Sequence, residues 1–239
     1  MNPDDTVIVI GGGSGIGLAV AGRVLEEGGS VVIAGRSRER LEGARTALGP
    51  PERVGVVVAD VGYRDQLARV FEAAGRVAHV VVTAADLPYG AVRSLTEAAM
   101  LRALRSKFMG PLFAVQEASR RMSGGSITLI SGIAAARPAP GGILAAGVNG
   151  AIESMVKALA LEVAPIRVNA VSPGWLDTPI WDGIAGPEER NRRFAAMAER
   201  LPLKRIGRTD DVAAAVAFLM ASDFVTGTVL HAEGGQLLV

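Results

Sequence analysis

The sequence contains no cysteine. That absence excludes disulfides, thiolate metal sites and cysteine nucleophiles, and it fits a reducing compartment. Aromatic residues are sparse at 4%, with only two tyrosines, Tyr63 and Tyr89, and two tryptophans, Trp175 and Trp181. The two histidines, His79 and His231, have no metal-like spacing with carboxylates, so both read as structural and no metal site is expected. Blocks of like charge are missing too. The 25 basic and 24 acidic residues leave a net charge of +1, which argues against a nucleic-acid footprint or a polybasic membrane patch and points to a small-molecule partner. The start, MNPDD, lacks the basic flank of a signal peptide, and no apolar run is expected to reach the roughly 18 residues of a membrane span. These absences predict a soluble, cytoplasmic protein.

What is present is a long alternation of short apolar runs and helix-period segments. At 239 residues and 49% hydrophobic content the chain can fill one core, and a single domain over residues 1–239 is expected. Seven runs read as strands: TVIVI (6–10), SVVIAG (30–35), VGVVVAD (54–60), HVVVTA (79–84), SITLIS (126–131), IRVNAVS (166–172) and TVLHAEG (228–234). Most are continuously apolar, the pattern of strands covered on both faces, and the intervals suit helical crossovers. The expected architecture is α/β, a doubly wound Rossmann-like parallel sheet with helices on both faces. The stretch SPGWLDTPIWDGIAGPEER (172–190) concentrates proline, glycine and both tryptophans, so it reads as a long loop with short helical pieces and opens a substrate lid at about 175–200.

The first strand runs into GGGSGIG, where Gly11, Gly15 and Gly17 make a G-x-x-x-G-x-G turn at the start of a helix. Glycines there allow a tight turn and a close backbone approach to a pyrophosphate, with free N–H groups of the helix start facing its charge. The turn as a whole, Gly11, Gly13, Ser14, Gly15, Ile16 and Gly17, is therefore a candidate dinucleotide cradle. After the second strand stands Arg36, whose guanidinium suits a 2′-phosphate where an acid would suit a ribose hydroxyl. This favours NADP(H) over NAD(H), the alternative being a solvated arginine at a helix start. Asp60, with Val61 beside it, either holds the adenine edge or caps the following helix.

With these pieces the chain resembles the short-chain dehydrogenase/reductase family over essentially its whole length. The resemblance rests on the glycine motif, ADV (59–61), the ISG strand end, ALALEVAPIRVNAVSPG (158–174), DTP (177–179) and VTGTVLHAEGG (225–235). It implies a nicotinamide cofactor, assembly as a homodimer or homotetramer through the long central helices, and a nicotinamide half bordered by Pro173, Gly174 and Thr178, with Ala84 a further cofactor-binding candidate. It also implies a catalytic serine, tyrosine, lysine and asparagine, and here the chain departs. Gly132, Ala145, Asn149 and Lys107 stand at those positions, and TAAD (83–86) replaces the family's N-N-A-G. Neither tyrosine has a lysine four residues on: Leu67 follows Tyr63 and Arg93 follows Tyr89.

A substitute proton donor must then come from residues facing the same pocket. Lys107 is the first candidate, one of only three lysines in the chain, since a desolvated lysine can donate a proton or polarise a carbonyl. Its alternatives are an ion pair, with Asp86 for example, or a solvated side chain. Asn149 can donate to a substrate oxygen or simply satisfy a backbone group or a water. Ser131 and Tyr89 complete the catalytic candidates, Tyr89 acting as an acid, as a lid or as a packing residue. Arg137 either binds an anionic substrate or lies on the surface, and the tryptophans either cover substrate or pack the lid. The expected function is an NADP(H)-dependent oxidoreductase of a small carbonyl, imine or activated alkene; the alternative is a dinucleotide-binding sensor or silent subunit.

Overall fold

The computed structural model describes residues 5–178, 181 and 185–239. Seven strands, β1 (Thr6–Ile10), β2 (Ser30–Gly35), β3 (Val54–Val58), β4 (Val77–Val82), β5 (Ser126–Ile130), β6 (Arg167–Pro173) and β7 (Val229–Ala232), form one parallel sheet. Their order is β3-β2-β1-β4-β5-β6-β7, so the chain reverses its direction of travel between β1 and β4. A crevice outside the strand ends at such a switch point is where this class of fold binds ligands.

Among the described residues there are eight α-helices, α1 (Gly15–Glu26), α2 (Arg38–Leu48), α3 (Arg64–Ala74), α4 (Glu97–Leu104), α5 (Gly110–Arg121), α6 (Ile143–Glu162), α7 (Pro187–Arg200) and α8 (Thr209–Ala221), of which α3, α5 and α6 pack on one face of the sheet and α1, α2 and α8 on the other. The period of two in each strand divides its side chains between two cores. From β1, Ile8 and Ile10 join Phe71 of α3, Ala114 of α5 and Ile152 and Val156 of α6 on one face. Val7 and Val9 join Val20 and Val24 of α1, Leu41 of α2 and Val216 of α8 on the other. Burial on both faces is why these strands read as unbroken apolar runs.

β1 and β2 have the expected bounds, and the departures elsewhere have local causes. β4 ends at Val82 rather than at residue 84 because the N–H groups of Thr83 and Ala84 both turn to the Ile10 carbonyl, at 2.8 and 3.0 Å. In the expected loop and lid, regular helix begins at Pro187, which occupies the first turn where its missing N–H costs nothing. The 20-residue α6 reaches a mean hydropathy of 1.3 and is long and apolar enough to cross a membrane, which corrects the expectation that no run is. Its apolar content has a use within the fold: Ala145, Val148, Ile152, Val156 and Leu159 are buried as α6 packs along β5 and β6.

Candidate functional site

The switch-point crevice contains a cavity of about 380 Å³. Its floor is the turn from β1 into α1. Gly11 has φ +100°, a region L side chains rarely adopt, and a Cβ there would stand 2.6 Å from the Ala84 nitrogen. A Cβ on Gly17 would stand 2.7 Å from the Gly11 carbonyl carbon, so this turn closes only on glycine. Ser14 precedes α1 with extended backbone and makes no side-chain cap, and the first turn of α1 holds no acidic residue. The helix start therefore keeps unpaired N–H groups and its positive dipole end for an anion.

Of the thirteen residues expected to hold a cofactor, Gly11, Gly13, Ser14, Gly15, Ile16, Gly17, Arg36, Asp60, Val61, Ala84 and Thr178 line this cavity. Pro173 and Gly174 do not. Pro173 pairs with Ala232 as the last residue of β6, and Gly174 is packed so closely on Glu233 that a Cβ would meet it at 2.8 Å. Asp60 lines the cavity but does not cap α3, whose N-cap is Tyr63; its Oδ1 accepts from the Gly62 N–H at 2.9 Å and braces the turn before that helix. Arg36 is not simply solvated, since its Nη1 lies 3.0 Å from Asp86 Oδ2. Asp86 and Ser106 also line the cavity, a place the sequence reading gave to neither, Asp86 being considered only as an ion-pair partner of Lys107. The one signal for them was the acid in TAAD, where the family has glycine.

A second constellation lies at the end of β5. Between α4 and α5 the chain makes one π-helical turn, Arg105–Met109. Pro111 explains it, because proline has no N–H to return to the Lys107 carbonyl and its ring crowds that oxygen. Lys107 points inward from this turn, 7% exposed, and its Nζ donates to the Ser131 carbonyl at 2.9 Å. No salt bridge among the described residues includes it, and Asp86 is engaged with Arg36 instead. Burial without a carboxylate partner pushes the ammonium down to about 8.

Asn149 reaches the same corner from α6. Its Nδ2 faces the Gly132 carbonyl at 3.4 Å and stands 2.9 Å from where a Gly132 Cβ would be, so the carboxamide occupies the place of a side chain at 132. Its Oδ1 is buried with no hydrogen-bond partner among the described residues. The Ser131 hydroxyl turns to Glu153, one helical turn beyond Asn149, and donates to its Oε1 at 2.9 Å. Glu153 is thus a further member of the corner, visible in the sequence only as the next polar residue on the same face of α6. Lys107, Ser131 and Asn149 are brought together; none of them lines the crevice cavity.

Tyr89 stands apart from this corner. Its ring borders the start of α6, where a Cβ on Gly142 would lie 3.8 Å from Cε1. Arg137 donates to the Leu237 carbonyl at 2.8 Å, tying the loop after β5 to the C-terminal turn. The tryptophans pack the lid: Trp175 and Trp181 have ring centroids 4.8 Å apart, and Phe194 of α7 meets Trp181 edge-on at 5.1 Å. Arg190 covers Phe194 at 5.4 Å and pairs with Asp177. Residues 179, 180 and 182–184 of the expected lid lie outside the described residues. His79 is structural, its Nδ1 lying 2.8 Å from Ser126 Oγ while burial pushes its pKa down to about 4.

Residues 11–236 match the family model described as enoyl-(acyl carrier protein) reductase. A short-chain dehydrogenase/reductase of Stachybotrys chlorohalonatus is 34% identical over 98% of this chain and 97% of its own. The chain belongs to the short-chain dehydrogenase/reductase family. The solved MalC reductase/Diels-Alderase of Malbranchea aurantiaca superposes with a TM-score of 0.90 at 32% identity, over 98% of this chain and 96% of that one. A small-chain dehydrogenase in complex with NADPH gives 0.83 at 30% identity, over 98% and 99%. The protein is therefore an oxidoreductase by family, and its crevice is the place where such enzymes hold a nicotinamide dinucleotide. The cradle fits that group: glycines where a Cβ would collide, an uncapped helix start, and a cationic side chain at the end of β2.

Proposed function

We propose that the protein is an NADP(H)-dependent oxidoreductase acting on a small carbonyl, imine or activated alkene, with Lys107 as proton donor in place of the family's tyrosine. The observation behind this reading is the glycine cradle with Arg36 at its adenosine end. The bound nicotinamide would supply or accept the hydride. The relatives named as reductases favour the reducing direction, and the enoyl reductase description of the family model keeps the activated alkene among the substrates.

Lys107 suits the second half of such a reaction. A buried ammonium whose pKa lies near 8 gives up a proton far more readily than a solvated lysine. The proton passes from Nζ to the substrate oxygen or nitrogen, or to the carbon of an activated alkene, leaving a neutral amine that takes a proton back from water. Asn149 Oδ1, an unsatisfied buried acceptor, suits a substrate or product that brings an N–H or O–H group. Ser131 and Glu153 hold the β5 end against α6, and Tyr89 borders the start of α6.

A second reading, a sensor or silent subunit without turnover, draws on Ala145 and on the Asn149 carboxamide pressed against Gly132. One screen separates the two. Oxidation of stoichiometric NADPH is followed with carbonyls, imines and enones; turnover on any class supports the enzyme, whereas tight binding with none across all three supports the sensor. We further read the protein as a cytoplasmic homodimer or homotetramer, supported by the exposed apolar side chains Met100, Leu101, Leu104 and Met109 along α4 and the π turn. Light scattering of the purified protein tests the assembly.

A further inference from the structure

Arg36 and Asp86 stand on opposite sides of the switch point. Arg36 follows β2, Asp86 follows β4, and β1, the strand between them, ends in the glycine cradle. Both line the cavity, and they meet across it at 3.0 Å with side chains 56% and 29% exposed. The backbone of Asp86 is fixed from below. Its N–H donates to Ser106 Oγ at 3.0 Å, and the Ser106 hydroxyl, buried on the π turn, faces the Asp86 carbonyl at 3.3 Å. The carboxylate is thus held in the crevice beside Arg36, which with Arg40 supplies the cationic side chains that line the cavity after β2.

We propose that Asp86 is a specificity-determining residue for the adenosine ribose of the cofactor, and that it narrows the preference for NADP(H) so that the crevice also accepts NAD(H). The proposal rests on the dinucleotide reading above. Two physical consequences of the pair support it. A 2′-phosphate must share Arg36 with a carboxylate already in contact, and its own negative charge then lies beside that carboxylate, a like-charge juxtaposition that opposes binding. A ribose carrying free hydroxyls brings donors instead, and a carboxylate accepts them. In dinucleotide sheets an acid after the second strand ordinarily does this work. Here an arginine has that place, and the acid comes from the end of β4. The two side chains therefore select in opposite directions, Arg36 for the phosphate and Asp86 for the diol.

The test compares dissociation constants of NADPH, NADH, adenosine 2′,5′-bisphosphate and ADP-ribose for the wild type, Asp86→Asn, Asp86→Ser, Arg36→Ala and the Arg36→Ala/Asp86→Asn double variant. Asp86→Asn is expected to tighten NADPH and the bisphosphate about fivefold and to loosen NADH and ADP-ribose by a similar factor, in keeping with a partly exposed pair. Asp86→Ser should move the ratio the same way. In the Arg36→Ala background the gain for the phosphorylated ligands should shrink but not vanish, because no cation is left to release and only the like-charge repulsion is relieved. A wild type that binds the nucleotides but shows no change in the ratio on either Asp86 substitution overturns this proposal alone. A wild type that binds none of the four removes the dinucleotide reading, and this proposal with it.

Discussion

The two ends of the switch-point crevice differ in what they retain of the family pattern. At the adenosine end the apparatus is carried by the backbone, in a glycine turn that admits no side chain and a helix start with free N–H groups. At the far end β5 and α6 follow their expected course, yet Gly132, Ala145 and Asn149 replace the side chains the resemblance implies, and Lys107 fills the corner. The comparison teaches that recognition built from backbone geometry needs the residues that permit the geometry. Chemistry built from side chains can be exchanged while the scaffold stays.

The sharpest way to break this contrast is to put a side chain into the backbone-built end. Gly17→Leu forces atoms into the Gly11 carbonyl, and titration should show dinucleotide affinity down by about 100-fold or more. Unchanged affinity would mean that the turn is not the cradle.

Lys107→Met tests the side-chain-built end. Turnover is expected to fall about 10²- to 10⁴-fold with cofactor affinity retained, and unaltered turnover would exclude Lys107 as the donor. In the wild type, reduction should weaken as pH rises through about 8, since the donor must be protonated. Stability moves in the opposite sense. The folded-state pKa is lowered, so below about 8 the lysine is charged in both states and the fold bears the desolvation cost. Between there and the unfolded value the folded state loses its proton first, and stability rises with pH. Relieving a cost of roughly 3 kcal/mol, less the lost hydrogen bond, should raise the Tm of Lys107→Met on the order of 5 °C at pH 7. A lowered Tm would show that the lysine is a structural tie.

A smaller effect is expected of Arg36→Ala, about tenfold to a hundredfold weaker NADPH binding with NADH much less affected; equal weakening of both discards the 2′-phosphate assignment. Tyr89→Phe should change turnover less than about twofold, because the tyrosine borders α6 away from the Lys107 corner. A larger loss would bring Tyr89 into the chemistry.

How much of this was legible in the sequence follows the same division. The doubly wound sheet could be read because strands buried on both faces are written as unbroken apolar runs, and the cradle because only glycine fits it. Strand ends were less legible: Thr83 and Ala84 continue an apolar run but give their N–H groups to Ile10. The membrane-length apolarity of α6 was hidden by the scattered polar residues Asn149, Glu153 and Lys157. Long-range partners left almost no trace. Nothing local links Arg36 to Asp86, fifty residues away, or Ser131 to Glu153 on the next helix. The π turn at Lys107 also has only Pro111 as its sign.

The measurement that tests the central claim most directly is a fluorescence titration of the purified protein with NADPH and with NADH. Saturable binding of one nucleotide per chain, tighter for NADPH, is the result predicted by an intact cradle with Arg36 beside it. Absence of binding by either nucleotide would contradict the account at its base.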